Sequence, residues 1–181
     1  MCIRDRPMTM RFHISGIDLK KFSKWILNFD KDRNVTTVFV VNNEIHLSTA
    51  CTWDSDKSWA LQPLFKKGIE KGILREEDTA YFQIFTIPGM PSTVSLNCPR
   101  IPQNTDTDPL DPIEKSKAFI KAREQIWRIY CFLKEFFPGF KNSFISNIAD
   151  MQGVRESRRV CGKKIYTKED IISCLLYTSP S

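Results

Sequence analysis

An α+β fold with strands and helices in no regular order is predicted by three observations. Several short stretches rich in β-branched and aromatic residues alternate apolar with polar side chains, the period of a half-buried strand. One long stretch, 112–136, carries its apolar residues at helical spacing instead. The two kinds of stretch do not follow one another in the βαβ order that a parallel, doubly wound sheet requires. No Gly-rich phosphate loop stands between a strand and a helix, since Gly89 and Gly139 sit beside prolines in turns. The pattern therefore suits a substrate or cap portion rather than a nucleotide-binding domain.

In chain order, Met8 to Ser15 alternates as a strand. Asp18 caps a helix whose stripe is Leu19, Phe22, Ile26 and Phe29. Val35 to Val41 and Glu44 to Ser48 read as a hairpin across Asn42-Asn43, because asparagine tolerates positive φ. Trp53 and Trp59 flank a polar turn. Pro63 fits the first turn of a helix over Leu64 to Lys71, and Gly72 ends it. Ala80 to Ile87 and Thr93 to Cys98 form a second strand pair around Pro88-Gly89-Met90-Pro91. From Pro99 to Pro112, prolines and aspartates predict a loop, closed by Asp111-Pro112-Ile113-Glu114, a capping-box variant in which the acid reaches back. The long helix then buries Phe119, Ala122, Ile126, Ile129, Leu133 and Phe136, and Pro138-Gly139 stops it. Thr167-Lys168-Glu169-Asp170 opens one more helix.

The two ends are expected to be foreign to the rest. Met1-Cys2-Ile3-Arg4-Asp5 can be encoded as ATG TGT ATA AGA GAC. The reverse complement, read one base out of frame, encodes Cys174-Leu175-Leu176-Tyr177-Thr178. A protein has no physical reason to end in the antisense of its own beginning, and the pair resembles a translated transposon-type sequencing adapter. Residues 1–6 and 174–181 are accordingly set apart, and 7–173 are read as an insert whose ends say nothing of targeting.

Composition narrows the class. At 41% hydrophobic and 27% charged residues the chain is globular rather than disordered. Its net charge of +6 is mild, and residues 1–6 hold +1 of it. Basic residues are interspersed with acids, and no basic run or motif points to nucleic acid. No apolar run approaches the roughly 18 residues of a transmembrane helix. Outside the terminal segments the cysteines are Cys51, Cys98, Cys131 and Cys161, widely scattered and without a CxxC pair. That spacing gives no metal site, reads as small buried hydrophobes, and favours a reducing, cytoplasmic compartment. His13 and His46 fall in apolar alternations as strand-face residues.

The densest chemistry is Arg155, Arg158 and Arg159, within Gln152-Gly153-Val154-Arg155-Glu156-Ser157-Arg158-Arg159. Like charges this close repel unless something anionic answers them, and a guanidinium forks onto carboxylates and phosphates. The segment is thus either an anion-facing edge or a solvated turn neutralised by Asp150 and Glu156. Two functions fit the residues: an enzyme with an anionic substrate, or a non-enzymatic basic α+β module that binds an acidic ligand. A serine hydrolase lacks support, since Ser92, Ser95 and Ser157 lie in no G-x-S-x-G elbow.

Gly153-Val154-Arg155-Glu156-Ser157-Arg158-Arg159-Val160-Cys161-Gly162, followed by Tyr166-Thr167-Lys168-Glu169-Asp170-Ile171, resembles the GVRESRR-x-x-G…T-x-x-D signature of FAD-dependent oxidoreductases. That family is similar to the flavoprotein subunit of heterodisulfide reductase. Asn97-Cys98-Pro99-Arg100 with Thr105-Asp106-Thr107-Asp108, and Phe132-Leu133 with Phe137-Pro138-Gly139-Phe140, follow in the same order as in relatives. The resemblance implies that 7–173 is the middle, substrate-side portion of a split Rossmann-like FAD-binding flavoprotein, with the glycine-rich nucleotide motif outside it. It implies FAD as cofactor, a small-molecule substrate and an electron-transfer partner. Arg155, Arg158 and Arg159 would face the flavin or an anion, and Asn97 and Arg100 the substrate. No acid or base is assigned by it. Some relatives are described with a [4Fe–4S] cluster, for which this sequence offers no ligand run.

Overall fold

The computed structural model describes residues 7–31, 35–52, 59–102, 108–155 and 167–172. In chain order the elements are β1 (Met8–Thr9), β2 (Phe12–Ser15), α1 (Leu19–Phe29), β3 (Thr37–Val41), β4 (Glu44–Thr52), α2 (Gln62–Glu70) and a 3-10 turn (Glu76–Thr79). There follow β5 (Tyr81–Thr86), β6 (Thr93–Leu96), β7 (Arg100–Ile101), α3 (Pro112–Phe136), β8 (Phe144–Ile148) and α4 (Lys168–Ile172). Among the described residues, β3-β4-β5-β6-β2-β8 make a six-stranded sheet and β1-β7 a two-stranded one, every pair antiparallel. The fold class is the mixed α and β one expected.

Alternation along the strands gives the large sheet an oily face and a polar face. Phe12, Ile14, Leu47, Cys51, Phe82, Ile84, Val94 and Leu96 are buried on the first. The helices cover that face, and their phenylalanines meet the sheet in one aromatic cluster. Phe65 of α2 lies 5.3 Å from Phe82 and 4.8 Å from Phe132 of α3. Phe137 bridges Phe82 at 6.0 Å and Phe22 of α1 at 5.8 Å. Such edge and tilted ring pairs each add about 0.5–1.5 kcal/mol beyond the area they bury.

Most local signals act as read. Asp18 Oδ1 accepts the Lys21 N–H at 2.9 Å, and Asp111 Oδ1 accepts those of Ile113 and Glu114 at 2.7 and 3.1 Å. Asn42 and Asn43 turn the β3–β4 hairpin at φ 50° and 63°. Gly139 adopts φ +100°, where an added Cβ would meet Asp18 O at 2.6 Å. Its carbonyl accepts the Asp18 N–H at 3.1 Å, which ties the end of α3 to the start of α1.

Three expectations are corrected. The strand over Met8 to Ser15 is two strands, because the chain leaves one sheet for the other at Met10-Arg11. The 99–112 loop contains β7, which is held by pairing of Arg100 with Thr9 and Ile101 with Met8. Glu114 reaches forward to Lys117 Nζ at 2.8 Å rather than back to the cap, since a cation one turn on answers its charge.

An ion cluster joins α3 to the 3-10 turn. Arg128 Nε and Nη2 donate to the buried Asp78 carboxylate at 2.7 and 2.8 Å, and Nη2 reaches Glu77 at 3.0 Å. Lys121 Nζ lies 3.0 Å from the other oxygen of Glu77. No described helix is long and apolar enough to cross a membrane.

Candidate functional site

The polar face of the sheet ends in a cleft of about 470 Å³. Three strands bring side chains to that end: β2 enters after Arg11, β5 begins at Tyr81, and β6 leaves through Asn97. The small sheet supplies the opposite wall. Thr9 pairs with Arg100 on one side, while its backbone exchanges hydrogen bonds with Gly153 on the other, at 2.7 and 3.3 Å. Arg100 and Arg155 are thereby carried to the same place from positions far apart in the chain. At Gly153 a Cβ would stand 3.0 Å from Thr9 Oγ1, a tight contact that a larger residue would accommodate only if the Thr9 side chain shifted.

Gln83 organises the sheet side of the cleft. Its Oε1 accepts from the Tyr81 hydroxyl at 3.0 Å and from Asn97 Nδ2 at 3.1 Å, and its backbone carbonyl accepts the Asn97 N–H at 2.9 Å. Tyr81 in turn carries Arg100, whose Cζ sits 3.7 Å from the ring centroid. Arg11 lies over Phe85 at 5.6 Å. A guanidinium on an aromatic face is held by the ring quadrupole while its edge keeps its donors. On Arg100 the buried Nε has no acceptor.

The electrostatics are one-sided. Among the described residues three guanidiniums and no carboxylate line the cleft, and no carboxylate pairs with any of the three. Burial lowers the pKa of Arg100, Tyr81 opposes that, and the charge of Arg155 lowers it again. An anion beside the two guanidiniums would offset both, because an opposite charge favours the protonated form. The donor set is thus complementary to a carboxylate or phosphate, through forked, charge-assisted hydrogen bonds.

Of the residues singled out in the sequence, Asn97, Arg100 and Arg155 share this cleft. Arg158 and Arg159 lie outside the described residues. Arg11, Thr9, Tyr81 and Gln83 escaped the sequence reading. Gln83 had a signal, a polar side chain on the outward phase of Tyr81-Phe82-Gln83-Ile84. Arg11 had none, because one arginine beside a strand is ordinary.

Residues 3–178 match the model of the family described as FAD dependent oxidoreductase. The chain belongs to that family. No curated protein and no solved structure matches it. Membership makes this a flavin oxidoreductase domain by kind and implies FAD as the cofactor. The cleft fits an anion-bearing group of the cofactor or of its substrate, since Arg100 Nε is buried without an acceptor and, among the described residues, no carboxylate answers the three guanidiniums. Among the described residues no three His, Cys, Asp or Glu side chains are grouped to hold a metal ion. Cys51, Cys98 and Cys131 are free thiols.

Proposed function

We infer that residues 7–173 form the substrate-side portion of a split FAD flavoprotein related to the heterodisulfide reductase flavoprotein subunit. In this reading the cleft is where an anionic substrate is held against the flavin. The carrying observation is that Asn97-Arg100 and Arg155, two separate parts of the family resemblance, converge on one cleft with Arg11 and with no carboxylate among its described lining residues. Bound FAD would supply hydride or electron transfer.

The chain's own residues have simpler tasks. Arg100, held flat by Tyr81, and Arg155 orient the anion and stabilise negative charge that develops beside them. Asn97 donates one N–H to Gln83 and keeps a second for the ligand. By resemblance, Arg158 and Arg159 would also face the flavin or an anion. An electron-transfer partner belongs to the reading, as does a small-molecule substrate.

The test uses the complete, flavin-loaded protein. Arg100→Gln and Arg155→Gln should each lower turnover or flavin retention at least tenfold, the order expected for losing one charge-assisted hydrogen bond of about 1.5–3 kcal/mol. Lys115→Gln, on the exposed face of α3, should change neither. Equal, small effects in all three variants would reject the assignment.

A further inference from the structure

We propose that this cleft selects oxyanions carrying two or more negative charges, of the pyrophosphate or dicarboxylate class, over monoanions, an inference that rests on the reading of the cleft above. The argument starts from local contrast. Several cations elsewhere are answered by carboxylates, Arg128 by Asp78 and Glu77, Lys121 by Glu77, Lys71 by Glu135 and Lys117 by Glu114, and those that lie over rings, Arg123 over Phe119 and Lys134 over Tyr130, are exposed to solvent. In the cleft, Arg100 and Arg11 lie over the neutral rings of Tyr81 and Phe85, and among the described residues no carboxylate answers either. A ring holds a guanidinium in place and leaves its charge in force.

Charge counting then sets the class. With Arg11, Arg100 and Arg155 lining the cleft and no acid among its described lining residues, a monoanion leaves these three side chains a net +2 and a dianion +1. Geometry agrees, because the guanidiniums arrive from different elements: Arg11 ahead of β2, Arg100 from β7 and Arg155 beyond the Gly153 bridge. A ligand with oxygens at two ends, or a phosphate pair, can engage more than one fork, whereas a lone carboxylate satisfies one. The buried Arg100 Nε is a donor still without an acceptor.

Such a ligand has two sources, the pyrophosphate of the cofactor or a dianionic substrate. The first measurement titrates the folded 181-residue chain with inorganic pyrophosphate, succinate and acetate at matched ionic strength, read by calorimetry and by thermal shift. Pyrophosphate or succinate should bind at least tenfold more tightly than acetate, and the preference should weaken as salt rises. Arg155→Gln, an exposed position, and Arg11→Gln should each reduce that affinity at least tenfold, and Lys115→Gln should not. Acetate binding as well as the dianions, or an affinity indifferent to both arginine variants, would overturn the proposal.

Repeating the titration on the complete protein, with and without bound FAD, identifies the source. If pyrophosphate binding vanishes once FAD is present, the anion is the cofactor's own; if it persists, the anion belongs to the substrate. Either result leaves the selectivity standing. Loss of turnover in Arg155→Gln without any dianion preference would sink this inference alone. A dianion preference in a protein whose flavin content and turnover ignore the arginines would sink the proposed function instead.

Discussion

Replacing Arg128 with methionine should destabilise the protein by about 3–5 kcal/mol, the cost of leaving one member of a buried ion pair alone. The Asp78 side chain is fully buried, and Arg128 supplies both its charge partner and two of its hydrogen bonds, at 2.7 and 2.8 Å. What remains to Asp78 is the Arg75 N–H at 2.8 Å. Methionine keeps much of the aliphatic stem, so the change is electrostatic rather than a cavity. Against a total stability of roughly 5–15 kcal/mol this is a large fraction. At about 2–4 °C per kcal/mol for a chain of this size, the midpoint should fall by roughly 6–20 °C. Urea unfolding at neutral pH measures it. Asp78→Asn placed on Arg128→Met should recover part of the loss, since it removes the stranded charge, and the cycle of four proteins isolates the coupling. A loss under about 1 kcal/mol, or no recovery in the double variant, would refute the view that this pair clamps the 3-10 turn to α3.

Other outcomes follow from the same physics. Burial acts to raise the Glu77 pKa, but its bonds and charges with Lys121 and Arg128 prevail and hold it below its ordinary 4.5. A carboxylate depressed in the folded state stabilises above its unfolded value and loses that contribution as pH falls through the folded one. Unfolding free energy should therefore drop below about pH 4.5, and Glu77→Gln should flatten that drop; an identical acid profile in the variant would contradict it. Burial pushes the Cys51 thiol up to about 12 and the Cys98 thiol higher still. Peptide mapping after alkylation of the native protein should find Cys131 labelled well before either, and rapid labelling of Cys98 would show that its core position is wrong. The 181-residue chain purified alone should carry FAD far below one per chain, measured by absorbance, because the glycine-rich motif is not in it. A stoichiometric yellow product would contradict the split-domain proposal.

Local chemistry made much of the fold legible. Asp18, Asp111, Pro112, Asn42, Asn43 and Gly139 act through their own hydrogen bonds or φ preferences, which depend on neighbours in the sequence. The aromatic stripe of α3 was readable for the same reason. Strand order was not. Nothing local says that β2 sits between β6 and β8, or that the chain changes sheets at Met10-Arg11, since such pairings are settled by packing between distant segments. β7 was hidden inside a proline-rich stretch because two residues are too few to show a period.

The candidate site divides along the same line. Arg155 was legible in the arginine cluster, and Asn97 and Arg100 through family resemblance; their convergence could not be read from spacing, since it depends on the β7–β1–Gly153 row of backbone hydrogen bonds. Arg11 had to wait for that row. The functional weight of the arginines comes from what surrounds them. The same residue type at Arg128 is a structural clamp because carboxylates answer it, and in the cleft, among the described residues, none does.

The most direct test is a structure of the complete protein with FAD and an anionic substrate or product analogue bound. The account predicts an anionic oxygen of one of them within about 3.2 Å of both Arg100 and Arg155. Both ligands seated elsewhere, with the cleft of Arg11, Arg100 and Arg155 facing bulk solvent, would contradict it.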